Sequence, residues 1–153
     1  MGFIKVAGGF LAAVFVLTIL ATVLQSLFVL AALSGVGAQI GAGDAAGMIL
    51  ADLAGLGPLY GGFIALALLA AFLAGAGLHR VTPLPRALVF AGAGFVAMGV
   101  MLAAMEQVFF GVQLIAGART LSGFGAQMIA GLIAGFAFAA LTPPPRGKAV
   151  DAA

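Results

Sequence analysis

Few residues in this sequence could do chemistry, and most of them gather in two stretches. Glu106 and Arg119 are separated by twelve residues, a connection short enough to bring a carboxylate and a guanidinium together in charge-assisted hydrogen bonds. Asp52 is the other carboxylate that could take the arginine. Tyr60, Gln25, Gln39, Gln107, Gln113 and Gln127 complete the candidate set. Such a set supports either an ion pair that pins a loop or a polar pocket for a lipid headgroup, a quinone or a small solute.

The same inventory argues against most reactive chemistry. Ser34 and Ser122 have no histidine, lysine or carboxylate close in sequence to act as a base. His79 is the sole histidine, so a haem held by two histidines of one chain is excluded. Without cysteine, and with one histidine, the usual zinc ligand sets cannot be assembled. The glycines follow neither the GxxxxGK[ST] pattern nor a strand-led GxGxxG. No catalytic residue, metal or cofactor is therefore expected, although Glu106 or Asp52 could in principle serve as an intramembrane acid or base.

The elements that must position these residues follow from composition. Of 153 residues, 65% are hydrophobic and 7% charged, against roughly 45–50% and 25% in soluble domains. Runs of about 20 apolar residues cross a hydrocarbon core of roughly 30 Å as helices. An all-α integral membrane protein with four transmembrane helices is expected, in one bundle domain over residues 1–142. The spans are 6–33, 59–78, 87–109 and 123–141, followed by a polar tail over 143–153. Gly57-Pro58 reads as the opening of the second span, because proline suits the first turn of a helix. Pro143-Pro144-Pro145 ends the fourth.

Between the first two spans, 34–57 reads as a short outer-face amphipathic or re-entrant helix capped by Asp44 and running from about Ala45 to Ala54. Five spans are the alternative, suggested by an internal echo. LSGVGAQIGAG (33–43) and LSGFGAQMIAG (121–131) agree at eight of eleven positions, and 24–53 laid over 112–141 gives thirteen identities in thirty. Composition alone would give about four. Five spans would place Asp44 near mid-bilayer, costing about 2.5–3.5 kcal/mol on insertion scales. They would also split the basic residues four to two. In the four-span arrangement Lys5, Arg80, Arg86, Arg146 and Lys148 share one face and Arg119 lies opposite, so both termini are expected to be cytoplasmic.

Each copy of the echo opens with a serine suited to capping a helix start and continues with small residues. Gly35, Gly37, Gly123 and Gly125, with the Gly131/Gly135 pair, are expected to pack helices closely, which is how helices associate in lipid. Gln39 and Gln127 then fall at equivalent places, and any site is expected beside them. A net charge of +2 on six basic residues is too sparse for nucleic acid. The function expected is a non-catalytic interaction, accessory or assembly subunit, as a homo-oligomer or within a larger complex. The alternative is binding or transport of a lipid, quinone or small solute through the outer polar cluster. Membrane lipids are its surroundings on either reading, and the Ala, Gly and Arg usage points to a GC-rich bacterium and hence an inner membrane.

Overall fold

The computed structural model describes residues 2–108 and 115–142. Gln113, the last residue of the expected third span (Phe109) and the tail with Arg146 and Lys148 lie outside the described residues. Among those described there are four α-helices, one 3-10 turn and no strand: α1 (Gly2–Gly35), α2 (Ala42–Val81), α3 (Arg86–Val108), the 3-10 turn Ala116–Ala118, and α4 (Leu121–Leu141). All four α-helices are long and apolar enough to cross a membrane.

They run up, down, up and down, and each packs on two neighbours in the order α1, α2, α3, α4 and back to α1. The core is apolar through most of its length. Leu17, Ile64, Leu68 and Met98 are buried at mid-bundle, and Phe10, Phe72, Phe90 and Phe138 meet near one end, with Phe72 stacked on Phe138 at 4.4 Å. Alanine and glycine set the closest approach. A Cβ on Gly94 or Gly131 would overlap the other's carbonyl oxygen across the α3–α4 contact, and one on Gly135 would overlap the Phe90 carbonyl.

One expected boundary is overturned. Gly57-Pro58 does not open a helix: α2 is continuous for 40 residues, with Pro58 inside it. A proline there deprives the Ala54 carbonyl of its usual donor, yet Pro58 sits on the exposed side of α2, away from the helices packed on it. The short outer-face helix expected at 45–54 is thus the first part of α2, and 34–53 is not a fifth span. Nor is Asp44 the cap. Gly41 holds that position, and the Asp44 carboxylate accepts from the Gly41 N–H at 3.3 Å from three residues inside.

The two copies of the echo have opposite roles. The first ends a helix. Ser34 lies in the last turn of α1 and its hydroxyl donates back to the Leu30 carbonyl at 3.0 Å. The N–H groups of Gly37 and Ala38 then bond the carbonyls of Ser34 and Leu33, and Gly37 takes φ +91°, the left-handed stop that glycine supplies. The second copy starts a helix, but through Thr120, whose Oγ1 accepts from the Gly123 N–H at 3.1 Å. Ser122 lies just inside, 3.2 Å from the Thr120 hydroxyl.

Candidate functional site

The polar interior is built on one stripe of α1. Thr18, Thr22 and Ser26 recur every four residues and share a face, with Gln25 beside them. Two contacts set the register against α2: the Thr18 hydroxyl lies 3.0 Å from where a Cβ on Gly61 would sit, and the Ser26 hydroxyl donates to Asp52 Oδ2 at 2.7 Å. The Thr22 carbonyl, 3.0 Å from the same hydroxyl, is its second acceptor. Thr22 therefore faces the part of α2 around Gly57.

One turn deeper, Gln127 joins three helices. From α4 its Nε2 donates to the Ala21 carbonyl of α1 at 2.9 Å, while its Oε1 accepts from the Tyr60 hydroxyl of α2 at 3.4 Å. Both Gln127 and Tyr60 are buried. Gln25 does the same for the connection before α4: its Oε1 accepts from the Gly117 N–H at 2.5 Å. A side chain at 117 would meet Gln25 itself, with its Cα only 2.7 Å away, and one at Gly123 would overlap the Gly117 carbonyl. These bonds satisfy amide groups that lipid would leave bare.

The remaining expected residues sit on α3, on the approach to α4 and on the α1–α2 connection. Glu106 is half-buried in the last turn of α3, Gln107 is exposed beside it, and Arg119 is exposed just before α4. Gln39 is exposed on the α1–α2 connection, whereas Gln127 is buried, so the two glutamines do not form one site. The packing glycines divide likewise. Gly123, Gly131 and Gly135 lie in close contacts, while Gly35, Gly37 and Gly125 face open space.

Three features escape the sequence reading. Thr22 and Ser26 look like minor breaks in an apolar run, although their four-residue spacing with Thr18 marks a face. The Thr22 hydroxyl is buried with no hydrogen-bond partner among the described residues. The third is Arg86, which carries no local signal. It donates to the carbonyls of Ala139 at 2.7 Å and Thr142 at 2.5 Å and to the Thr142 hydroxyl, and its guanidinium lies over the Phe90 and Phe138 rings at 5.0 and 5.9 Å. A cation at the carbonyl end of α4 satisfies orphan acceptors and complements the helix dipole.

Chemically the polar interior is one carboxylate (Asp52), four hydroxyls (Thr18, Thr22, Ser26 and Tyr60) and two amides (Gln25 and Gln127). Among the described residues no group of three histidine, aspartate or glutamate side chains could hold a metal ion. A separate groove of about 500 Å³ between α2 and α3 is lined by apolar side chains such as Phe63, Ala67, Ala97 and Met101. Compared with known proteins, the chain matches no family model, no curated protein and no solved structure, so its function rests on these side chains.

Proposed function

We propose that this chain is a non-catalytic interaction subunit of a membrane assembly, held to its partner by an apolar hairpin that overshoots the four-helix slab. The mismatch of helix lengths carries this reading. The 21 residues of α4 measure about 32 Å, matched to a hydrocarbon core of roughly 30 Å. The 34 residues of α1 and 40 of α2 measure about 51 and 60 Å. Gln25 marks the level at which α4 is entered, so residues 27–51 continue about 14 Å further.

That segment is poorly suited to water. Val36 is 83% exposed and Leu50 66%, with Leu27 and Leu33 also exposed, and Asp44 is its one charged residue. Apolar surface standing outside a length-matched slab favours a protein cover, and contiguous patches of this kind mark interaction sites. The cover is a second copy or another subunit at the membrane boundary. Lys5, Arg80 and Arg86 at the opposite end support cytoplasmic termini in a bacterial inner membrane.

The test replaces Val36 and Leu50 with lysine, both exposed positions whose change leaves the bundle core untouched. In mild detergent or nanodiscs the parent chain should migrate as a defined complex, with a second copy or a second component in fixed ratio, and the variant as a free monomer with unchanged helicity. A parent chain that is itself monomeric and alone would sink the reading.

A further inference from the structure

We infer that the α1–α2 contact holds a site for a small monovalent cation, with sodium the physiological candidate, formed by Asp52, Ser26 and Thr22 against the open space at Gly57. This goes beyond the interaction reading and does not depend on it. Three observations converge. The Asp52 carboxylate, half-buried at the edge of the slab, has one hydrogen-bond donor among the described residues, the Ser26 hydroxyl at 2.7 Å, and that hydroxyl is shared with the Thr22 carbonyl. Among the described residues no cation is bonded to it, and a carboxylate half-withdrawn from water at a membrane edge gains from a counter-charge.

One turn deeper, the Thr22 hydroxyl is fully buried and has no partner among the described residues, a state that buried polar groups rarely tolerate. The register that sets Thr18 against Gly61 and Ser26 against Asp52 brings Gly57 of α2 to the level of Thr22. Gly57 is buried, yet a Cβ added there would meet nothing closer than the Asp52 backbone carbonyl of its own helix at 3.9 Å. Room therefore exists at Gly57, on the stretch of α2 that the Thr18–Gly61 and Ser26–Asp52 contacts set against Thr22. An oxygen-only set suits a hard cation. A single carboxylate fixes its charge: one positive charge neutralises the site, whereas a divalent ion would leave a net charge beside lipid.

The site is reached from the Asp52 end, where Ser26 lies one residue beyond Gln25. Occupancy would tie α2 to α1 just below the overshooting hairpin, fixing that hairpin's direction. Ligand binding to the folded state alone raises the melting temperature.

The experiment compares thermal unfolding of the purified full chain in sodium, potassium and choline chloride at constant ionic strength. Sodium at about ten times its dissociation constant should raise the midpoint by roughly 3–5 °C over choline. Asp52→Asn, Thr22→Val and Gly57→Ala should each abolish that shift. Gly57→Ala is the decisive variant, since its methyl group fills the space and makes only an ordinary contact. Sodium NMR line broadening by the parent chain, lost in Gly57→Ala, reads binding without reference to stability. An unfolding midpoint indifferent to the cation overturns the proposal, as does a sodium shift that survives Asp52→Asn or Gly57→Ala. An equal shift with potassium overturns the assignment to a small ion.

Discussion

Gln39 and Gln127 occupy the same place in a repeated string, and the bundle treats them as unrelated residues. Gln127 bonds α1 and α2 from the interior, and Gln39 faces outward. Gln127→Leu should lower stability by about 1 kcal/mol, the usual scale of an interhelical hydrogen bond in lipid, while Gln39→Ala stays within roughly 0.5 kcal/mol; thermal unfolding of the two variants side by side checks this. Arg86 is the costlier residue to lose. Arg86→Ala removes donors from two carbonyls and a hydroxyl at the end of α4, and a loss of about 2 kcal/mol is expected from bonds to a charged group. Lysine, a point charge without the planar fork, should restore only part of it. A midpoint for Arg86→Lys equal to that of the parent would show that charge alone matters there.

The elements are shaped by glycines that do different work at equal frequency. Gly135→Ala should prevent the α3–α4 approach, because the added carbon would overlap the Phe90 carbonyl, and the measurable result is loss of cooperative unfolding. Gly125→Ala meets open space and should be neutral or stabilising by up to about 1 kcal/mol, the helix propensity difference. At Gly37 the reason is conformational, since φ +91° ends α1; alanine there should cost about 1–2 kcal/mol. Spacing alone could not separate these cases, because close approach depends on the facing backbone and a helix stop on hydrogen bonds across it. Pro58 shows the same limit. A proline inside a helix and one at its first turn look alike in sequence, and what tells them apart is whether the preceding residues, here 42–57, are already helical.

The whole molecule has a polarity that labelling can read. The chain contains no cysteine, so single cysteines report cleanly. With the basic end inside the cell, Val36→Cys at the hairpin tip should react with an impermeant maleimide added to intact cells, and Leu84→Cys, exposed on the α2–α3 turn, should react only after permeabilisation. The reverse pattern would invert the proposed orientation, and with it the side from which the Asp52 cluster is reached. Overshoot of α1 and α2 belongs to this scale too, since it appears only when the four helices are laid against one another.

Composition and the length of the apolar runs were enough to determine an all-helical chain with four helices able to span a membrane, because hydrocarbon thickness and the need to satisfy every backbone group leave few other forms. Those constraints act locally along the chain, and the sequence carries them in full. The sequence also picked out Gln25, Tyr60, Asp52 and Gln127 as polar residues that lipid would disfavour. Only the tertiary structure decided which of them meet. The Ser26–Asp52, Gln25–Gly117 and Tyr60–Gln127 bonds link residues 26, 92 and 67 positions apart. Their existence depends on helix register and rotation, which glycine contacts on the opposite side of the bundle help to set. The buried hydroxyl of Thr22, without a partner among the described residues, is the furthest from sequence, since it is defined by what its neighbours across the α1–α2 contact leave unfilled.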